Sequence, residues 1–511
     1  MNTPYRRRRA STITLHAFSL LGGTLVLSGC ANFNAQPLSD AELRDRVQAD
    51  QLLLARDAAL LPGTVSLEEA IARAIKYNAG QRLRAMEEAV ATGTFEASKF
   101  DLLPKLVASA GYRYRDRELI TRSIDSVTGR PSLANPYIST DRDTALGSLG
   151  FSWSLLDFGQ SYYAARQHAD RALIAGERRR KAIHTLVQDV RIAYWRVAAS
   201  QALETSLRNA SQMADLALDD VRKAESEKLR SPLEPLRYQR QLLENLRLLE
   251  TIEQELSSAR IELASLMGLA PGQATAGWKV AEPQVTAHQS WLDRPVQDME
   301  ALALVRNPDL RESQYGARIA QEETKRVMLR MFPGLSFNYS TNHSSDSYLI
   351  NDSWREAGLQ VSFNLLGLLA LPAQKQLAEA GVALADQKRM ATQMAVLSQV
   401  HIARLQFANA VHQYQRADSI AQVDQRITQH VENQVIAQKQ TRLDSVAQQT
   451  ASILSTLRRY QALSNMQSAG SRLQATLGLE PTIEGSDTLP LPELTSAVGQ
   501  ALQRWEAGQV Q

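Results

Sequence analysis

Few residues in this chain have the types and spacing that chemistry needs, and those few do not gather into a reaction centre. The eight histidines form no HExxH or comparable metal-ligating pattern. There is neither a Walker A lysine loop nor a dinucleotide-binding glycine loop. Cys30 is the single cysteine, so no disulfide can form within one chain. What does recur is an acid three residues after a hydroxyl. Ser231-Pro232-Leu233-Glu234-Pro235-Leu236 and Thr441-Arg442-Leu443-Asp444-Ser445-Val446 share that plan. Such acids commonly cap a helix start and meet the positive end of its dipole. No catalytic residue, cofactor or metal is expected, and a passive role fits better than an enzymatic one.

The two acid-bearing turns punctuate long helices. From Phe158 to Leu229, about 72 residues hold no proline, and apolar positions step by three and four through Ile183, Leu186, Val190, Ala193 and Val197. At 1.5 Å per residue that is a rod of roughly 108 Å. No ordinary core is that long, so the rod must pack against other long helices. A helix opens at Ser66 with a capping-box pattern and runs to about Phe100, and another spans 233–268. Together they measure roughly 106 Å. One long helix can therefore lie antiparallel to two half-length helices set end to end, with the Ser231–Leu236 turn closing one extremity.

A β-hairpin over 105–156 closes the other. Leu106, Ala108, Ala110, Tyr112 and Tyr114 alternate with Val107, Ser109, Gly111, Arg113 and Arg115. After a polar loop of about 30 residues, Leu149, Phe151, Trp153 and Leu155 alternate with Ser148, Gly150, Ser152 and Ser154. An apolar face opposite a small polar face is what a transmembrane β-barrel strand requires. A soluble sandwich hairpin is the alternative. Tyr112, Tyr114, Phe151, Trp153, Phe337, Tyr339 and Phe363 are candidate barrel aromatics, either as interfacial girdles or as plain lipid-facing bulk.

The whole arrangement occurs twice. Ala303-Leu304-Val305-Arg306-Asn307 matches Ala74-Ile75-Lys76-Tyr77-Asn78, and Pro333 matches Pro104, at an offset of 229. From the second strand onward the offset is 210, as in Val361-Ser362-Phe363-Asn364-Leu365-Leu366 against Phe151-Ser152-Trp153-Ser154-Leu155-Leu156. The 19-residue change falls wholly between the strands of the hairpin. The sequence thus divides into a first repeat at 63–270 and a second at 296–480, joined by a linker at 271–295. The second holds a hairpin at 334–366, a long helix at 367–440 and a helix at 442–478. An accessory segment at 30–62 precedes them. A tail at 481–511 follows, with a short helix expected around Leu494–Trp505.

Composition narrows the class. Aromatics make up 6% of the 511 residues, too few for several conventional cores, and the formal charge is +3. Arg6–Arg9 supply four positive charges within residues 1–29, which hold no acid, so the remainder is near −1. Nothing global points to nucleic acid. Beyond those residues no stretch reaches 18 uninterrupted apolar residues, so a helical membrane span is not expected. The arginines followed by apolar Ile13–Leu27 read as an export signal over residues 1–29.

On these marks residues 64–481 resemble the TolC-type outer-membrane efflux family. The marks are the doubled helix–hairpin–rod–turn–helix order, the Asn78 and Asn307 segments, and the Ser/Thr-x-x-Glu/Asp turns. The resemblance implies a mainly α fold with a small β part. It implies a homotrimer whose protomers each give four strands to a 12-stranded outer-membrane β-barrel, continued by a periplasmic α-helical barrel. It implies an exit duct working with a periplasmic adaptor (a membrane fusion protein) and an inner-membrane transporter. By family position the turns bearing Ser231, Pro232, Leu233 and Pro235, and Thr441, Arg442, Leu443 and Ser445, form the tunnel tip. Asp444 would narrow it, with Glu234 as its counterpart; the family's second carboxylate, three residues on, is Ala447 here. Leu27-Ser28-Gly29-Cys30 resembles a bacterial lipoprotein signal, which implies acylation of Cys30, and Ala31 after it favours the outer membrane. A periplasmic adaptor or coiled-coil scaffold without a pore is the competing reading.

Overall fold

The computed structural model describes residues 37–57, 61, 63–131, 136–226, 233–269, 277–282, 290–437, 441–479, 483 and 485–509. Cys30 and the export segment lie outside them. Residues 1–57 and 58–511 form separate compact units. In the first, α1 (Asp40–Asp57) opens on a reciprocal cap: Ser39 N–H donates to Glu42 Oε2 at 2.9 Å and Glu42 N–H donates to Ser39 Oγ at 3.3 Å.

The second unit begins with β1 (Thr64–Val65), α2 (Leu67–Tyr77) and α3 (Ala79–Ser98). Then come β2 (Lys105–Tyr114), β3 (Ile120–Thr121), β4 (Tyr137–Ile138) and β5 (Asp143–Ser154). The chain continues into α4 (Leu155–Ser226), α5 (Leu233–Ser257), α6 (Ala259–Leu266) and β6 (Lys279–Val280). The second half repeats the order: α7 (Val296–Arg306), α8 (Pro308–Leu329), β7 (Gly334–Ser344), β8 (Ser353–Ser362), α9 (Gly367–Ile436) and α10 (Arg442–Leu477). A last helix, α11, spans Leu491–Glu506. At 72 and 70 residues, α4 and α9 are rods of about 108 and 105 Å.

Several helix boundaries differ from the sequence reading, each for a local reason. The helix expected from Ser66 to Phe100 breaks at Asn78, whose backbone is extended (φ −63°, ψ 125°). The Asn78 side chain serves two helix ends at once. Its Oδ1 accepts from Gln81 N–H at 3.1 Å, capping α3, and its Nδ2 donates to the Leu266 carbonyl at 3.1 Å, at the end of α6. Asn307 does the same between α8 and α10, accepting from Asp309 and Leu310 and donating to the Thr476 carbonyl at 3.0 Å. This shared cap is how two half-length helices are set end to end. The helix expected at 233–268 is interrupted at Ser258, where Arg196 from α4 donates to the Glu255 carbonyl at 2.8 Å, the acceptor the next turn would use. The first rod starts at Leu155, not Phe158, because Ser154 Oγ accepts from Asp157 N–H at 3.2 Å and turns the strand directly into helix.

In each repeat the last helix, α6 or α10, ends on a left-handed glycine. Gly268 (φ 76°) and Gly478 (φ 67°) close Schellman turns, with Leu269 N–H bonded to the Ala264 carbonyl and Leu479 N–H to the Gln474 carbonyl. A Cβ at Gly268 would sit 2.5 Å from the Tyr77 carbonyl oxygen, and one at Gly478 would meet the Arg306 carbonyl oxygen still more closely. The glycines let the helix end press against the backbone just before each shared asparagine.

The main core lies where these junctions meet the rods. Ile71, Tyr194, Leu263, Met267, Met299 and Leu463 are fully buried there. Small residues such as Ala193, Ala210, Ala214 and Ala217 let α4 approach its neighbours closely. β1 and β6 pair in parallel, and the buried Tyr194 hydroxyl donates to the Val65 and Ala281 carbonyls beside them. Trp505 of α11 stacks on Trp291 at 4.4 Å, so the tail closes over the core. Arg191 of α4 is buried beneath it and donates to Ser471 Oγ; burial lowers its pKa to about 10 while Glu506 and Glu68 oppose the shift.

A seam of charge joins the two repeats. Along α4 and antiparallel α8, Arg166 meets Glu322, Asp170 meets Arg318, Glu177 meets Arg311, Arg178 meets Glu312, and Lys181 meets Asp309. Asp170 and Glu322 are buried, whereas Arg318 is half exposed. Arg318→Met leaves Asp170 buried without its ion partner, at an expected cost of about 1–2 kcal/mol once solvent access to Arg318 is allowed for. Adding Asp170→Leu is expected to recover most of it. Urea unfolding followed by circular dichroism would show this; a double variant weaker than the single one would contradict it.

Candidate conduit wall and helix-tip turns

The two hairpins lie side by side in one antiparallel sheet of order β2-β5-β7-β8. Its register places like with like. Leu106 faces Phe151, which faces Tyr339, which faces Ala357; Trp153 faces Phe337, which faces Leu359. On the other side Ser109, Ser148 and Asn342 share one rung, and Ser154, Ser336 and Gln360 another. The Ser109 and Ser148 hydroxyls are 2.6 Å apart. One face is therefore apolar and the other carries mostly small polar groups.

Among the described residues no helix covers the apolar face. Leu106 is 67% exposed, Leu359 71% and Val361 67%. The candidate aromatics fall in two bands along it. Tyr112 and Tyr114 sit toward the loop end, while Phe151, Trp153, Phe337 and Tyr339 sit toward the helix end, with Phe363 just past β8. Between them lie smaller residues such as Ala108, Ala110, Gly147 and Leu149. Phe151 and Phe337 meet edge to face at 6.2 Å. Among the described residues no helix is long and apolar enough to cross a membrane.

The polar stretch of about 30 residues read as loop from sequence is more ordered than that. The 115–144 segment contains the β3–β4 pair, with Ile120 facing Ile138. In the second hairpin β7 runs on to Ser344, so Asn342 is a ladder residue. The two loops are tied together, Asp141 Oδ1 accepting from Ser347 Oγ at 3.0 Å and Asp346 Oδ1 accepting from Asp141 N–H at 3.1 Å.

At the far extremity α10 opens on a full capping box. Thr441 N–H and Oγ1 donate to Asp444 Oδ2 at 3.1 and 2.7 Å, and Asp444 N–H donates back to Thr441 Oγ1 at 3.3 Å. The Asp444 carboxylate thus does what an acid at this position does in any helix. Ser445 and Val446 are buried, and Leu443 packs on a small core of Ala214, Ala217, Leu218 and Leu242. Burial also raises the pKa of Tyr238 beside it. Arg442 Nη1 donates to Asp220 Oδ2 of α4 at 2.7 Å, an ion pair between the two repeats that the sequence reading missed. In the first turn Leu233 begins α5 and is exposed. Ser231, Pro232 and the side chains of Glu234 and Pro235 lie outside the described residues.

Residues 71–269 match the family model described as outer membrane efflux protein. Over that segment the chain is similar to this family. The second repeat carries the same sheet, rod and shared-cap geometry on the other half. No curated protein matches the chain. Among solved structures, a membrane protein from Pseudomonas aeruginosa is 16% identical with a TM-score of 0.64, the match covering 84% of this chain and 93% of that one. The CmeC outer membrane channel of Campylobacter jejuni is 12% identical at a TM-score of 0.63, covering 85% and 89%. The outer membrane protein VceC of Vibrio cholerae is 16% identical at 0.60, covering 81% and 96%. These likenesses show the fold alone, mostly helical with a small sheet. No three His, Cys, Asp or Glu side chains gather as a metal group among the described residues.

Proposed function

We propose that the chain is one protomer of a trimeric outer-membrane exit duct, lipid-anchored at Cys30 and extending into the periplasm. It conducts substrate passively, receiving it from an inner-membrane transporter through a periplasmic adaptor, and it performs no reaction of its own. One observation carries the reading: a four-stranded sheet with a banded apolar face, a polar opposite face and two open edges, mounted on rods of about 100 Å. Four strands cannot close a barrel, and open edges in a bilayer must be paired, so copies must associate. Three copies bring the strands to twelve, an even count with a water-filled lumen. The polar face lines that lumen and the apolar face meets lipid.

The adaptor or scaffold reading asks for a water-soluble domain where this sheet lies, and the exposed Leu106, Leu359 and Val361 argue against it. The deciding experiment is fractionation followed by reconstitution. The duct reading expects protein in outer-membrane fractions and discrete channels in planar bilayers. A protein extracted by salt alone, giving no channels, would leave the scaffold reading standing.

A further inference from the structure

The sheet order leaves β2 and β8 as its two edges. The two hairpins share one register: Lys105 faces Ser152 and Gly334 faces Ser362, counterparts at the repeat offsets of 229 and 210. Between the hairpins, Ser152 faces Asn338, four residues beyond Gly334, the counterpart of Lys105. Passing from one hairpin to the next therefore advances the register by four residues. A closed barrel links strand tilt to a fixed stagger, so equivalent seams of one barrel carry equal steps.

We propose that β8 of one protomer pairs antiparallel with β2 of a second copy of this chain at that same four-residue step. Gly358 then lies opposite Arg113, Leu359 opposite Tyr112, Gln360 opposite Gly111 and Val361 opposite Ala110. The inference rests on the trimeric duct reading and adds the register of its subunit seam. The faces agree: Leu359 and Val361 extend the apolar face onto Tyr112 and Ala110, and Gln360 continues the polar face. A one-residue slip would put apolar side chains on the lumen side. Charge agrees as well. Toward the loops Glu356 falls opposite Arg115 and Arg355 opposite Asp116, and among the described residues none of the four has an ion pair within its own chain. Opposite charges directly across a seam favour pairing. Charge alone would also accept a two-residue slip toward Arg117 and Glu118; the repeat stagger excludes it.

Paired cysteines in the full chain test this directly. One variant carries Gln360→Cys with Gly111→Cys, and another Leu359→Cys with Tyr112→Cys. Adjacent rungs alternate between wide and close pairs, so one of the two variants holds the close pair. Gly111 has nothing within 4 Å of a Cβ and accepts the change. Oxidation in isolated membranes should give covalent dimers and trimers from at least one variant. Gln360→Cys with Ser109→Cys or with Arg113→Cys should give none, because those Cα atoms lie beyond disulfide reach, and Gln360→Cys alone controls for Cys30. Cross-linking in the slipped pairs only, or in no pair of a protein that native mass spectrometry finds trimeric, would overturn the register. A monomer by mass spectrometry would overturn the trimeric reading itself.

Discussion

Gly478→Ala is expected to destabilise the protein by about 3 kcal/mol or more. Two costs combine. The residue sits at φ 67°, where any side chain costs roughly 1–2 kcal/mol. Its new Cβ would also press on the Arg306 carbonyl, which is backbone and cannot swing aside as a side chain would. Relief requires separating the end of α10 from Asn307, and Asn307 would then lose its bond to the Thr476 carbonyl while its own N–H groups are buried. Gly268→Ala should behave alike, since it meets Tyr77 in the same way. The control is Gly381→Ala. That glycine lies within α9 with nothing within 4 Å of a Cβ, so alanine there should be neutral or stabilise by up to about 1 kcal/mol. Chemical unfolding in detergent, read by far-ultraviolet circular dichroism, separates the two. If Gly478→Ala unfolds at the parent midpoint, the junction does not hold the repeat together.

The second large effect is expected at the tip, on conductance rather than stability. Asp444 occupies a capping box, and Arg442 bridges to Asp220 across the repeats. If three copies of each surround one axis, Asp444 forms a carboxylate ring favouring cations, and the three bridges hold the tip closed. Asp444→Asn keeps a good capping side chain but removes the charge, so it should weaken divalent-cation block and cation preference while leaving the helix intact. Asp444→Ala removes the cap as well, at about 1 kcal/mol per protomer. Asp220→Ala breaks an exposed bridge worth about 0.5 kcal/mol. Over three protomers that is about 1.5 kcal/mol, or roughly a tenfold shift from closed toward open. Single-channel recording in planar bilayers reads both. Unchanged selectivity in Asp444→Asn would leave Asp444 as a helix cap and nothing more. An unchanged open probability in Asp220→Ala would remove the bridge from the gate.

The first turn offers a comparison. Pro232 and Pro235 restrict its backbone, whereas the Thr441–Val446 turn has no proline. The second turn is therefore expected to move more on opening. That ordering follows from covalent geometry and needs no side-chain contact.

By itself the sequence determined the elements and their duplication. Helical periodicity over about 72 residues, period-two strands and matched offsets are local or additive signals, so rods, hairpins and tandem order were legible without coordinates. The polar and apolar faces were legible too, because side-chain direction in a strand is set by parity alone. Tertiary structure decided what depends on two distant segments meeting. Nothing near Asn78 in the chain announces that its amide closes a helix ending at Leu266, some 190 residues away. The Asp170–Arg318 seam and the Arg442–Asp220 bridge are likewise ordinary surface charges until α8 and α10 lie against the rod α4. Even the stagger of the sheet needed the pairing of β5 with β7, since each hairpin's own register says nothing of its neighbour. Propensity and parity act through bonded neighbours; caps, ion pairs and seams act through space, and only the folded chain brings their partners within reach.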